Sequence, residues 1–378
     1  MAPFVVPRWM LAAAIAMAAV ALLVAPQGAT ADITARRLKS NPQVDPTSLA
    51  YSCDGDYSIN FPTVIKTPRW LKPRLGDYYM YFSDHHGLFI YLAYSDSING
   101  PWLTYAPPTL TLAQVYTANN ATFNLLNRSS STECASPDVY VDDARRQIVM
   151  YFHARLPYNS YKSLSGIAFS ANGIDFAPRP GFFALPYVRR FVWHGDDYTY
   201  LLDRSGNIMR SRDGYTDLIL GGGAIGAAFT NASMVNGDGY TGLIRHLGVS
   251  VAGDTLYVFG TRVGDAPERI LWTSVDLSCT RANWSACAPA HPAIEGFRPQ
   301  YAYEGADLPV APSTKGNAPG PVNQLRDPFP FADGGKCYIF YAAAGESAIA
   351  AARIADHFCF ADHFCSVDDD DVHTSGAA

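Results

Sequence analysis

The sequence predicts an all-β fold, a five-bladed β-propeller of four-stranded antiparallel blades. Tyr and Phe are abundant, 23 and 20 of 378 residues, against only 16% charged residues, and aromatic side chains suit half-buried pleated surfaces. No long amphipathic helical pattern is present. Above all, a unit of strand, turn, aromatic strand, loop and strand recurs five times at intervals of tens of residues. Radial stacking of such units is how a propeller protects its sheet edges. A β-sandwich is the alternative, and the repeated order of the unit argues against it.

The first unit runs from a short strand at Asn60–Ile65 through the Gly76-Asp77 turn to Tyr78–Phe82. A polar loop, Ser83–Gly87, leads to Leu88–Tyr94, and Ser95–Trp102 closes the blade. Turn residues between β-rich runs are what a meander requires. The second unit has Asp138–Val141, Gln147–Phe152 and Gly166–Ser170 before Asn172-Gly173. The third has Arg189–Trp193, Tyr198–Leu202 and Asn207–Ser211 before Asp213-Gly214. The fourth has Leu247–Val251, Thr255–Thr261 and Arg269–Val275, and the fifth Pro328–Phe331, Cys337–Ala342 and Ala348–Ile354. Residues 103–133 read as a polar irregular insertion, 217–244 as a Gly-rich loop, and Asp307–Asn323 as a Pro- and Gly-rich excursion.

These units place the propeller at 50–356, followed by a Cys-containing tail at 357–378 whose final acidic residues suit disorder. At the other end, Arg8 precedes an apolar run from Trp9 to Ala25, and Ala29-Thr30-Ala31 offers a small-residue cleavage site. That is the order of a secretory signal peptide over residues 1–31. The run falls short of the ~20 residues of a membrane span, so a secreted, extracellular product without a membrane anchor is expected. Cysteine usage agrees with an oxidising compartment: Cys279 and Cys287 are eight apart, Cys359 and Cys365 six apart, and both spacings suit disulfide-closed loops. Cys53, Cys134 and Cys337 are left open, since three cysteines cannot all pair internally. Asn120, Asn127, Asn231 and Asn283 begin glycosylation sequons.

A formal net charge of −6 lacks the basic field of a nucleic-acid binder. No CxxC, HxH or HxxxH spacing marks a metal site, so no metal ligands are assigned, no cofactor is required and no axial cation is indicated. A monomer is expected.

The Asp327-Pro328 blade start, the Tyr78-Tyr79-Met80-Tyr81-Phe82 strand and the Ser95-Asp96 to Gly100-Pro101-Trp102 blade ending carry a resemblance. They are similar to those of the five-bladed propeller glycoside hydrolases, the arabinanase and xylosidase group called family 43, with invertases and levansucrases as relatives. The resemblance spans about Asn60 to Ile354 and implies a carbohydrate substrate and glycosidase activity. It also implies a catalytic Asp at the start of the first blade, where this chain has Asn60. A carboxamide is no general base at ordinary pH.

In a propeller, the start of each inner strand and the loop between the second and third strands share one face, and the resemblance puts the active site there. That face collects Asn60, Asp84, His85, His86, Asp138, His153, Arg189, Asp203, Arg204, His246, Arg262, Asp265, Glu268, Arg326, Asp327 and Glu346. Glycoside hydrolysis needs one carboxyl to protonate the leaving oxygen and a second to activate water or attack carbon. Asp327 and Asp138 are the expected base, nucleophile or pKa modulator, and Glu268 the expected acid with Glu304 in reserve. Arg189, Arg262 and Arg326 would anchor substrate, and three arginines suit an anionic or sulfated sugar. Asn60, His85, His86, His153 and His246 complete the expected substrate contacts. Two other chemistries fit the same residues. A polysaccharide lyase would use His, Arg and Tyr around a uronate, and a non-catalytic carbohydrate-binding propeller would account for Asn60 directly.

Overall fold

The computed structural model describes residues 33–49, 58–85, 87–121, 132–156, 163–183, 185–279, 283–318 and 320–360. The expected signal segment, His86, Cys53, Cys365, Asn127 and the acidic C-terminus lie outside the described residues. Five antiparallel four-stranded sheets form a five-bladed propeller, as the repeat predicts. An early strand, β1 (Arg36–Arg37), stands apart in sequence from its sheet. The first blade is β2 (Asn60–Lys66), β3 (Tyr78–Ser83), β4 (Phe89–Ser95) and β5 (Leu103–Thr111). The second is β6 (Glu133–Asp142), β7 (Gln147–Arg155), β8 (Leu164–Ser170) and β9 (Ala177–Pro178). The third is β10 (Arg189–Val192), β11 (Thr199–Leu202), β12 (Ile208–Ser211) and β13 (Ile219–Leu220). The fourth is β14 (Ile244–Ala252), β15 (Thr255–Arg262), β16 (Ile270–Asp276) and β17 (Ile294–Phe297). The fifth is β18 (Arg326–Asp333), β19 (Lys336–Ala343) and β20 (Ala348–Ile354).

The fifth repeat supplies only those three strands, and β1 provides the fourth, pairing Arg36 with Arg353 and Arg37 with Ala352. Chain from ahead of residue 50 thus completes the last sheet and joins the two ends of the propeller. Of the expected irregular insertion at 103–133, residues 103–118 are regular strand and helix, and 122–131 lie outside the described residues. Leu103–Thr111 forms the outer strand of blade one, where Pro107 and Pro108 are tolerated because an edge strand has a face with no ladder partner. Thr111 then caps the short helix Leu112–Ala118 in a capping box with Gln114.

The blade endings follow directly from their sequences. In Ser170-Ala171-Asn172-Gly173 the Ser170 hydroxyl accepts the Gly173 amide at 2.8 Å. In Ser211-Arg212-Asp213-Gly214 the Ser211 hydroxyl accepts the Gly214 amide at 2.7 Å. Both glycines hold positive φ, 70° and 88°, which a side chain would resist. The freed carbonyls tie blades together, since Tyr81 donates to Gly173 at 2.7 Å and Tyr151 to Gly214 at 2.8 Å. Apolar clusters fill the gaps between blades, with Tyr79, Leu92, Met150 and Phe152 in one and Trp193, Tyr200, Val258 and Leu271 in another. Each such fully buried side chain contributes about 1.5–3 kcal/mol relative to exposure.

The inner strands begin alike. Phe61, Ser136 and Asp327, each just before a proline, hold φ of 54°, 54° and 53°. The ladder slips at the same places, between Asn60 and Thr63, Ala135 and Asp138, and Arg326 and Phe329. Proline has no N–H to donate, so it sits at a bulge without loss. Residues held in such strained conformations concentrate at functional sites. Around the axis, Thr63 donates to Pro137 O at 2.7 Å, Arg190 N to Asp138 at 2.8 Å, and Arg189 Nε to Leu247 O at 2.7 Å. His246 meets Asp327 at 2.5 Å and Phe61 N donates to Asp327 at 3.3 Å, which closes the ring.

One disulfide forms as expected, Cys279–Cys287. The second is a correction: Cys359 pairs with Cys337, not with Cys365. Strand β19 carries Cys337 past the short turn Asp356–Phe358, which brings residue 359 within reach. Cys134 is free and buried.

Candidate active site

A cavity of about 220 Å³ opens where the inner strands begin, lined by Asn60, Asp84, His85, Glu133, His153, Tyr187, Arg204, Tyr240, Arg245, His246 and Lys315, among others. Three imidazoles face it, each tied to a carboxylate. His85 Nδ1 lies 2.9 Å from Glu346 Oε2, His153 Nε2 lies 2.9 Å from Glu133 Oε1, and His246 Nδ1 lies 2.5 Å from Asp327 Oδ1. A carboxylate on one ring nitrogen fixes the orientation and tautomer of the ring. The buried Nδ1 of His153 has no hydrogen-bond partner among the described residues.

His85 and His246 are shifted in opposite directions. Burial disfavours the charge on His85, but the Glu346 carboxylate, its hydrogen bond and Glu133 outweigh it, so the His85 pKa is raised. Burial disfavours the charge on His246 too, and with Arg204 and Arg245 nearby it outweighs Asp327, so the His246 pKa is lowered. Glu133 resists burial because His153, Arg155 and His85 surround it, and its carboxyl is held down at about 2. Tyr187, at φ 58°, stands just ahead of β10. It stacks on His153 at 4.2 Å and tilts against His246 at 4.8 Å, and burial pushes its phenol up to about 12.

Asn60, His85, His153 and His246 therefore meet in one place, as expected of cleft residues. Asn60 donates to Glu346 Oε2 at 3.3 Å and accepts from Ser83 at 2.8 Å. The acids expected to do the chemistry sit deeper. Asp327 is buried behind His246, and the imidazole holds its pKa low against the opposing effect of burial. Asp138 is buried against Arg189 at 3.1 Å and the Arg190 amide, and burial raises its pKa. Phe61 covers the Arg189 guanidinium, 3.7 Å from the ring centroid.

Glu268 is fully buried and engaged by Arg245 through both oxygens, at 2.7 and 2.9 Å. Burial would raise its pKa, but Arg245 and Arg326 hold it low, the opposite of what a proton donor needs. Glu304 does not fold over the cleft. It is buried beside β1, accepting from Arg37 at 2.8 Å and Tyr341 at 2.6 Å.

The arginines expected to hold substrate are likewise occupied. Arg189 pairs with Asp138, Arg262 with Asp265 at 2.8 Å, and Arg326 with Glu346 at 2.7 Å. None of the three lines the cavity. The cations that do include Arg155, Arg204, Arg245 and Lys315. Sequence reasoning passed over Glu133, Arg155, Tyr187, Tyr240, Arg245 and Lys315. Tyr187 has a signal in hindsight, because it stands two residues ahead of an inner strand. Lys315 has another, as the single cation of the Asp307–Asn323 excursion. Among the described residues, no group of three or more His, Cys, Asp and Glu is arranged to hold a metal ion.

Fold and cavity together define a class: a five-bladed β-propeller with an axial, histidine-rich site. An α-L-arabinofuranosidase from Lactobacillus brevis shares the fold at 8% identity, with 78% of this chain and 90% of that one covered and a TM-score of 0.52. A glycosyl hydrolase from Bacteroides ovatus does so at 12% identity, 84% and 92% coverage and a TM-score of 0.52. An endo-arabinase from Bacteroides thetaiotaomicron gives 12%, 82%, 95% and 0.50. No family model matches the chain. In sequence it is 52% identical over 326 residues to the uncharacterized protein R118 of Acanthamoeba polyphaga mimivirus, covering 84% of this chain and 89% of that protein. The chain belongs to the family of that viral protein.

Proposed function

We propose that this chain is a secreted carbohydrate-active enzyme that cleaves a glycosidic bond in the axial cavity, with His246 as the base and His85 as the acid. The observation that carries the reading is geometric: two imidazoles line one cavity, and each has Nδ1 tied to a buried carboxylate, Glu346 or Asp327. Their environments push them apart, His85 toward the charged form and His246 toward the neutral one, and such divergence assigns acid and base roles. In hydrolysis, His246 Nε2 takes a proton from water as the oxygen attacks the anomeric carbon. His85 gives its proton to the departing glycosidic oxygen as the carbon–oxygen bond breaks. Asp327 and Glu346 hold the rings, so the paired carboxylates act through imidazoles and not on the sugar. The fold supports the substrate class by analogy alone.

Elimination is the second reading, favoured by one observation. Tyr187 packs between His153 and His246, with the Arg204 guanidinium 5.4 Å from its ring. Imidazole, phenol and guanidinium beside one another are what proton removal next to a sugar carboxylate requires.

The deciding experiment incubates the purified protein with a panel of neutral and acidic oligosaccharides, following new reducing ends and ultraviolet absorbance together. New reducing ends without absorbance support hydrolysis. Absorbance from an unsaturated product supports elimination. Binding without either product would make the chain a carbohydrate-binding propeller. Secretion belongs to the same proposal and is supported by the Trp9–Ala25 run and the two disulfides. N-terminal sequencing of exported protein tests it, and recovery of the uncleaved chain in membranes overturns it.

A further inference from the structure

Two cations on the cavity wall have no carboxylate within ion-pair distance among the described residues. Arg204 follows β11, and Lys315 lies in the excursion that precedes β18. Both meet at one aromatic ring: the Arg204 guanidinium is 4.9 Å and the Lys315 ammonium 3.8 Å from the Tyr240 centroid. Each of the other arginines on this wall has an acid, Arg155 with Glu133 and Arg245 with Glu268. Arg204 also reaches over Tyr187, which packs against His246.

A solvated surface lysine is the plain alternative for Lys315, which is exposed. Its backbone argues otherwise. The carbonyl of Gly316 accepts from Arg245 at 3.0 Å and Arg326 at 3.1 Å, and that of Thr314 from Arg245 at 2.6 Å. Gly316 holds φ of 85°, and Ser313 takes the Gly264 amide at 2.9 Å. Two buried arginines and a backbone turn thus fix the segment that presents Lys315 to the cavity. Like charges brought over one ring repel, and an anion arriving between them relieves that.

We propose that Arg204 and Lys315, on the platform of Tyr240 and Tyr187, form a subsite for an anionic sugar unit, carrying a carboxylate or a sulfate ester. This names the substrate class of the site proposed above and rests on that reading for its link to bond cleavage. The positive field is also legible in Tyr240, whose phenol burial would push up but which Arg204 and Lys315 together lower. The planar guanidinium suits two-point contact with such an anion, and the ammonium adds a point charge.

Calorimetric titration of the full chain with D-glucuronate, glucose 6-sulfate, glucose and inorganic sulfate tests this. The sugar acids are expected to bind, the carboxylate or sulfate arm showing which anion fits, with affinity falling as salt rises. Glucose and inorganic sulfate are expected to bind far more weakly. Arg204→Gln and Lys315→Gln should each weaken the preferred sugar acid by about tenfold, with an unchanged melting temperature. Equal binding of glucose or of sulfate alone, no binding of either sugar acid, or undiminished affinity in the double variant overturns the subsite. Since the readout is binding, sugar-acid affinity without any turnover sinks the enzyme reading and leaves the subsite standing.

Discussion

His246 Nδ1 lies 2.5 Å from Asp327 Oδ1, and the other oxygen of that carboxylate accepts the Phe61 amide at 3.3 Å. One buried acid thus fixes both a cavity imidazole and the strained turn that opens the first blade. Asp327→Asn keeps an acceptor for Phe61 but no longer orients and polarises the imidazole. His246→Gln removes the base itself, and general-base loss lowers turnover by about 10²–10⁴-fold. We expect both variants to lose activity, measured on the substrate identified by the oligosaccharide panel. The melting temperature should be little changed in His246→Gln and lowered in Asp327→Asn, whose buried carboxylate the fold favours in its charged form. Full turnover in His246→Gln would remove it from the chemistry.

The same pair of histidines sets the pH dependence. His246 must be neutral to accept a proton, and its pKa lies below the ordinary 6.5. His85 must be charged to donate one, and its pKa lies above 6.5. Turnover should therefore rise as pH passes the His246 value, hold across 6.5, and fall above the His85 value. Glu346→Gln removes the charge that outweighs burial at His85, so the alkaline limb should move to lower pH. A limb that stays in place would mean another group donates the proton.

The Cys337–Cys359 bridge closes a loop of 22 residues between β19 and the end of the described chain. Loop-closure entropy puts its contribution at about 3 kcal/mol. Cys359→Ser should lower the unfolding free energy by that order in oxidised protein and have no effect once both forms are reduced. Non-reducing peptide mapping should recover a Cys337–Cys359 peptide. A Cys359–Cys365 peptide would reverse the assignment.

The architecture was legible in the sequence because its signal is periodic: Ser170 to Gly173 and Ser211 to Gly214 repeat one hydrogen-bonded ending in successive blades. The β1 strand was not, since two residues carry no period and their pairing with β20 is set by chain closure. At the site, strand order told which end of the propeller a residue occupies, and so found His85, His153 and His246. It did not tell depth. Asp327 and Asp138 flank inner-strand bulges that the ladder alone reveals, and both are buried. Lys315 escaped because its place depends on Arg245 and Arg326 reaching Gly316, contacts between distant segments that leave no local pattern.

Glu268 separates a structural acid from a catalytic one. Both oxygens are engaged by Arg245, and Arg245 in turn holds the Thr314 and Gly316 carbonyls that carry Lys315. Removing its charge leaves a buried guanidinium uncompensated, which costs about 3–5 kcal/mol. Glu268→Gln should therefore lower stability in denaturant titration and weaken sugar-acid binding, because the segment bearing Lys315 loosens. Turnover should fall in step with bound substrate, mainly through KM, with no new dependence on leaving-group acidity. Replacing both partners, Glu268→Leu with Arg245→Met, should recover much of the stability, since an apolar pair carries no desolvation penalty. It should leave sugar-acid affinity low, because the carbonyl anchors are gone. The opposite pattern, unchanged stability with kcat lost on natural glycosides and retained on activated ones, would make Glu268 the proton donor and displace His85 from that role.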